Sequence, residues 1–134
     1  MYEDVVADVI ASVWPEADAM SELPFFPSVN PGWDTTPRFE LPTTAPSGDR
    51  DVWPGLSHWG ALKVVQGETP AAFEAFVKAA VEYTVGQGNA PRVMTIGCWN
   101  EWTEGHYLLP DTRFGFGMLE ALTSGLGRAL KPPT

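Results

Sequence analysis

Hydrophobic positions along this chain change their spacing several times. From residue 2 to about 20, Val6, Val9, Ile10 and Val13 recur at i, i+3, i+4 and i+7, with Glu3, Asp4 and Asp8 off that stripe. That is the period of an amphipathic helix. Pro15 has no backbone N–H, so the helix is expected to end or kink near Val13, with Glu16 to Met20 adding a further turn. Leu23 to Val29 is a short apolar run between prolines and reads as a strand, although Pro24 and Pro27 each remove a ladder donor. An Asn30-Pro31-Gly32 turn then delivers Trp33, Asp34 and Arg38. Residues 34–68 are rich in Thr, Pro, Gly and Asp and lack sustained periodicity, apart from a brief strand pattern at Ala61 to Gln66. A loop of that length is uncommon in a compact domain unless it is functional. It is expected to cover the site, with Trp53, His58 and Trp59 as wall candidates; self-packing of the loop is the plainer reading of His58 and Trp59.

Regular spacing returns at Thr69-Pro70, which suits a helix start with Thr as N-cap and Pro in the first turn. Phe73, Phe76, Val77, Ala80, Val81 and Thr84 form the stripe, and Gly86 and Gly88 supply the stop. Arg92 to Cys98, opened by Pro91, is nearly all apolar and reads as a strand buried on both faces, as in a parallel sheet. Phe114 to Leu130 reads as a closing helix with Leu119, Leu122, Leu126 and Leu130 inward, weakened by Gly125 and Gly127. Alternating helices and strands predict a parallel α/β fold. The alternation alone does not separate a barrel from an open sheet.

Composition narrows the function classes. The chain has 134 residues, one ordinary domain by length but about half of the roughly 250 residues of a complete (β/α)₈ barrel. A net charge of −9, from 17 acids against 8 bases, disfavours nucleic acid and anionic membrane surfaces as partners. The single Cys98 excludes an internal disulfide and, at the end of an apolar run, reads as a small core residue. No run reaches the roughly 18 apolar residues of a membrane span and no signal peptide is evident, so a complete chain would be expected in the cytoplasm. No metal-ligand spacing or phosphate-binding glycine loop occurs, and Asp49-Arg50-Asp51 is a weak imitation of a metal-binding Asp-Xaa-Asp. No metal or other cofactor is expected.

The densest chemistry follows the last strand, in Trp99-Asn100-Glu101-Trp102-Thr103-Glu104-Gly105-His106-Tyr107. Taken singly, its tryptophans read as core plugs and its glutamates as caps of the following turn. As a unit, two acids three residues apart, interleaved with a Trp that can stack on a sugar, point to glycan chemistry. Paired carboxylates flanking a cleft are the usual means of splitting a glycosidic bond, because burial and mutual repulsion keep one protonated and the other ionised. Such sites sit at the C-terminal ends of parallel strands.

WNEWTEGHYLLPD followed by RFGFGMLEAL resembles the C-terminal end of the glycoside hydrolase family 99-like group. That group includes WbsX-type proteins of polysaccharide gene clusters and, more distantly, endo-α-mannosidases. Pro31-Gly32-Trp33-Asp34-Thr35-Thr36-Pro37-Arg38 resembles an earlier signature of the WbsX-type branch. The resemblance runs from about Pro24 to Leu130 and covers roughly the last third of the family's barrel. It implies that the chain is the C-terminal βα units of a (β/α)₈ TIM-type barrel, a single partial domain partnered by the missing N-terminal part of that barrel. It further implies retaining hydrolysis of an oligosaccharide or polysaccharide, with Glu104 as general acid/base and Glu101 assisting by deprotonating the 2-hydroxyl. Asn100, Trp33, Trp102, Tyr107, Asp34 and His106 would contact the carbohydrate, or Asp34 would pair with Arg38 in a structural role. Thr103 stands where endo-mannosidases usually carry His, and Leu109 where WbsX-type relatives commonly have Glu. Two other readings remain: a non-catalytic or carbohydrate-binding remnant, and a biosynthetic protein, since the WbsX-type branch also carries a glycosyltransferase description.

Overall fold

Residues 1–38, 64–87 and 91–127 are described by the computed structural model of the chain. Trp53, His58, Trp59, most of the expected site-covering loop, the Asp49-Arg50-Asp51 triplet, Gly88 and Leu130 lie outside them.

The amphipathic N-terminus is helical as expected; near Val13 it is disturbed and not ended, and the further turn expected from Glu16 follows. Helix α1 (Tyr2–Asp8) passes into a π-helical segment, Val9–Val13, and on into α2 (Trp14–Ala19). Pro15 has no N–H for an α-helical bond, and its ring would crowd the preceding turn. The wider π turn accommodates it, closed by the Trp14 N–H donating to the Val9 carbonyl. That extra residue rotates the apolar face. Val13, expected inward, is 46% exposed, and Trp14 is buried in its place, stacked on Phe76 and edge-on to Tyr83.

Strand β1 is Ser28–Val29 and β2 is Thr95–Ile96, paired in parallel. The carbonyls of Pro27 and Val29 accept the N–H groups of Thr95 and Gly97, at 2.9 Å each. Pro27 therefore takes part in the ladder through its oxygen, so its missing donor does no harm here. Between the strands lies helix α3, Pro70–Gly86, with the Thr69 Oγ1 accepting from the Ala72 N–H at 3.2 Å. A parallel pair joined through a helix is a βαβ crossover, which places the chain in the α/β class. Two expectations fail in detail. Gly86 ends α3 without a left-handed turn, since Gln87 caps it in helical conformation. The last strand is also shorter than Arg92 to Cys98 and is not buried on both faces: Val93 and Thr95 are exposed and Ile96 half-buried. Among the described residues β2 has one strand neighbour, β1.

Helix α4, Gly117–Leu126, packs along α3. It starts three residues later than Phe114, because Asp111 and Gly115 first close a small turn by exchanging backbone hydrogen bonds. Its innermost positions are Met118, Ala121 and Gly125, with Leu119, Leu122 and Leu126 flanking the core rather than centring it. Gly125 is a close-packing residue: a Cβ there would lie 2.6 Å from Val77 Cβ and 3.0 Å from the Glu74 carbonyl. The core gathers Tyr2, Trp14, Val29, Phe73, Phe76, Val77 and Leu108. No described helix is long and apolar enough to cross a membrane.

Candidate functional site

Beyond Ile96 the chain forms a tight antiparallel hairpin from β3 (Asn100–Glu101) and β4 (His106–Tyr107), pairing Asn100 with Tyr107 and Glu101 with His106. A 3₁₀ turn, Trp102–Glu104, and Gly105 close it. Gly105 has φ +57°, a region that favours glycine, and an added Cβ would also meet Asp34 Cβ at 2.9 Å and Asp34 N at 3.0 Å. That approach is put to use. The Asp34 N–H donates to the Glu104 carbonyl at 2.6 Å, and Asp34 Oδ1 accepts from the Thr36 N–H at 2.9 Å, opening a 3₁₀ turn over Thr36–Arg38. The two sequence signatures, some seventy residues apart, are thereby stitched together.

The acids occupy the two ends of the hairpin turn. Glu101 and Glu104 are each half-buried, and Thr103 Oγ1 donates to Glu101 Oε1 at 2.9 Å. Asn100 is exposed beside them. Trp102 and Tyr107 stack with ring centroids 4.0 Å apart and planes 28° apart, Trp102 remaining 45% exposed. The Tyr107 hydroxyl donates to Asp111 Oδ2 at 3.0 Å. Burial, this hydrogen bond, and the negative charges of Asp111 and Glu68 push the Tyr107 phenol above its ordinary range. Burial alone would raise Asp111, but the Phe114 N–H, the Tyr107 hydroxyl and the Arg113 N–H and guanidinium outweigh it and hold the carboxyl low.

His106 is the buried polar residue of the site, 5% exposed, its ring edge-on to Trp33 at 5.6 Å, and neither ring nitrogen has a hydrogen-bond partner among the described residues. Burial pulls its pKa below the ordinary value, against the opposing pull of Glu104 and Glu101. It fits only because Gly97 has no side chain: a Cβ there would lie 2.0 Å from Asn30 Oδ1 and 2.3 Å from His106 Nε2.

A cleft of about 490 Å³ opens beside the hairpin, lined in part by Trp33, Asp34, Glu68, Gly105, Tyr107 and Arg113. The volume lies within the range of small-ligand sites. Of the residues singled out from sequence, Trp33, Asp34 and Tyr107 meet on this cleft. Glu101, Glu104, Asn100, Trp102 and His106 belong to the adjoining hairpin and are outside the cleft's described lining. Glu68 and Arg113, which form an ion pair across the cleft wall, were not singled out. They stand forty-five residues apart, and no local pattern marks them as partners. Gly97 and Asp111 were missed as well. Asp111 sits inside the motif stretch, where its spacing to Tyr107 was the available signal. Among the described residues no cluster of His, Cys, Asp or Glu is arranged to hold a metal ion.

The family described as glycosyltransferase WbsX matches residues 57–122, a span that includes α3, the hairpin and the start of α4. Over that stretch the chain is similar to the WbsX family. The uncharacterized protein WxcX of Xanthomonas campestris pv. campestris, in each of two strains, is 28% identical to this chain over 115 residues. That match covers 85% of the chain and 14% of WxcX, so the chain spans about one seventh of the length of the curated relatives it matches. No solved structure matches it.

Proposed function

We propose that this chain supplies the acid–base part of a polysaccharide-active site, as the closing βα units of a (β/α)₈ barrel. The observation that carries the reading is the stitched hairpin. Glu101 and Glu104 flank one short turn, and the Asp34 N–H holds the Glu104 backbone beside a polar, aromatic-walled cleft. Half-buried acids on a backbone pinned from two sides suit proton transfer, which demands a positioned group within hydrogen-bond reach.

In this reading Glu104 protonates the leaving oxygen as its bond to the anomeric carbon breaks. Glu101 takes the proton of the neighbouring 2-hydroxyl, whose oxygen closes on that carbon. Water then attacks the anomeric carbon and gives a proton to Glu104, while Glu101 returns its proton to the 2-oxygen as the strained ring reopens, with net retention. Trp33, Trp102, Tyr107, Asn100, Asp34 and His106 contact the carbohydrate. His106, kept neutral by burial, places no cation beside the acids.

The family description favours a second reading, in which the protein builds glycans by transfer instead of hydrolysing them. The test is turnover by the full-length protein on aryl glycosides and polysaccharides, compared with transfer from a nucleotide sugar. Glu101→Gln and Glu104→Gln are each expected to lower hydrolysis by about 10²- to 10⁴-fold while leaving the fold intact. Near-wild-type turnover removes the substituted residue from the mechanism. Sugar transfer in the absence of hydrolysis establishes the second reading.

A further inference from the structure

The cleft beside the hairpin has a chemical character that acid–base catalysis alone does not require. Its described lining brings an aromatic face, Trp33, next to two carboxylates, Asp34 and Glu68, and one guanidinium, Arg113. Trp33 is fixed from behind. Its ring is held edge-on against His106, and its carbonyl accepts the Val65 N–H at 2.8 Å. Tyr107 is fixed too, by its stack on Trp102 and its bond to Asp111. Rigid aromatic walls and carboxylate acceptors lining one cleft match a pyranose, which offers an apolar C–H face and a rim of hydroxyl donors.

Charge then divides the sugars. Arg113 is committed to Glu68 and lies over the Phe114 ring, 4.4 Å from its centroid. Asp34 adds a second carboxylate to the lining, and Asp111 a third just behind Tyr107. Burial does most to raise the Tyr107 phenol, and the negative charges of Asp111 and Glu68 add to it. An anionic ligand would have to displace Glu68 from Arg113 and face the remaining carboxylates. A ligand carrying hydroxyls and no charge meets no such cost.

We infer that the cleft lined by Trp33, Asp34, Glu68, Tyr107 and Arg113 is a subsite for an uncharged pyranose, closed to uronates and to nucleoside diphosphate sugars. This rests on the glycan-active reading and adds to it the class of sugar. Trp33 carries the stacking, the carboxylates accept the sugar hydroxyls, and the Glu68–Arg113 pair excludes acidic residues.

The experiment is saturation-transfer NMR with titration calorimetry on the full-length protein, using cellobiose, mannobiose, glucuronic acid and UDP-glucose as probes. At least one neutral disaccharide should bind at millimolar concentration or better, and both anions at least tenfold more weakly. Trp33→Ala should weaken the neutral probe by tenfold or more, with Trp33→Phe intermediate if the alanine variant does not fold. Glu68→Gln, which releases Arg113, should bring glucuronic acid within threefold of the neutral probe. The inference is overturned if no neutral probe binds, if the Trp33 variants bind as well as the parent, or if UDP-glucose binds more tightly than the neutral sugars. Glu104→Gln separates the two ideas. Full turnover in that variant, with binding still dependent on Trp33, ends the acid–base reading and leaves the subsite standing; lost turnover with binding indifferent to Trp33 does the reverse.

Discussion

Replacing Gly97 by alanine tests whether the position of the hairpin is set by the packing of His106 against β2. The added Cβ would lie 2.0 Å from Asn30 Oδ1, 2.3 Å from His106 Nε2 and 2.4 Å from His106 Cε1. Gly97 is not in the left-handed region, so alanine suits its backbone and the conflict is purely steric. Asn30 is exposed and can swing aside. His106 cannot, because it is buried and held against Trp33. Overpacking of this kind costs about 1–3 kcal/mol. The backbone entropy recovered by removing a glycine returns about 0.5–1 kcal/mol. The expected net loss is therefore about 0.5–2 kcal/mol, the difference of those two ranges. Function should suffer more than stability. His106 pairs in register with Glu101, so a ring displaced by an ångström carries Glu101 with it, and a misplacement of that size can cost about a hundredfold in rate. The assay is urea denaturation followed by tryptophan fluorescence, alongside turnover, for Gly97→Ala, His106→Ala and the double variant. Removing the imidazole makes room for the new methyl, so the two effects should be non-additive by about 1 kcal/mol or more. Additive losses, or an alanine variant more stable than the parent, would refute the steric argument.

The burial that lowers His106 also predicts an acid-side weakness: the unfolded chain takes up its imidazole proton before the folded one does. Stability should thus be full above the ordinary histidine value of about 6.5 and decline as the pH falls through it toward the lower folded pKa. His106→Gln should flatten that decline in pH-dependent melting, and an unchanged slope counts against the assignment. Tyr107→Phe removes the hydroxyl donor to Asp111, which keeps the Arg113 and Phe114 N–H groups. The expected loss is about 1 kcal/mol by chemical denaturation, and no change would mean that the phenol contributes nothing in water. Residues 1–134 expressed alone should self-associate in sedimentation and melt without a sharp transition, because Leu23, Trp99 and Phe116 are largely exposed and the parallel pair has no described neighbour on either edge; a sharply melting monomer would contradict this.

Local signals proved legible to different degrees. Thr69-Pro70 announced α3 correctly because capping is decided within four residues, and the Thr69 side chain makes the expected bond. Val13 misled because a 3.6-residue period was carried unbroken up to it, and a single π turn over Val9–Val13 shifted the buried position to Trp14. Inward leucines in α4 were misplaced by about one residue for a different reason. Gly125 was read as a weak helix former, whereas its missing side chain is what lets α4 approach Val77 and Glu74. That closeness turns Met118 and Ala121 into the buried row.

The candidate site divides along the same line between local and distant causes. The glutamates, the hairpin aromatics and the Trp33-Asp34 pair stand out by their types and spacing, so they could be named from the chain alone. What joins them could not. The Asp34 N–H to Glu104 carbonyl bond uses backbone atoms, which leave no trace in residue identity, and its one side-chain signature is the glycine at 105. Gly97 is legible only once His106 is known to lie against it. Glu68 and Arg113 look like ordinary surface charges until the fold brings them to one wall. Residues that do chemistry announce themselves by being costly to place, whereas the residues that hold them there are often a missing side chain or a main-chain amide. In this chain the second kind sets where the first kind stands, so substitutions at Gly97 and Gly105 are expected to impair the site as severely as some substitutions of the polar residues around it.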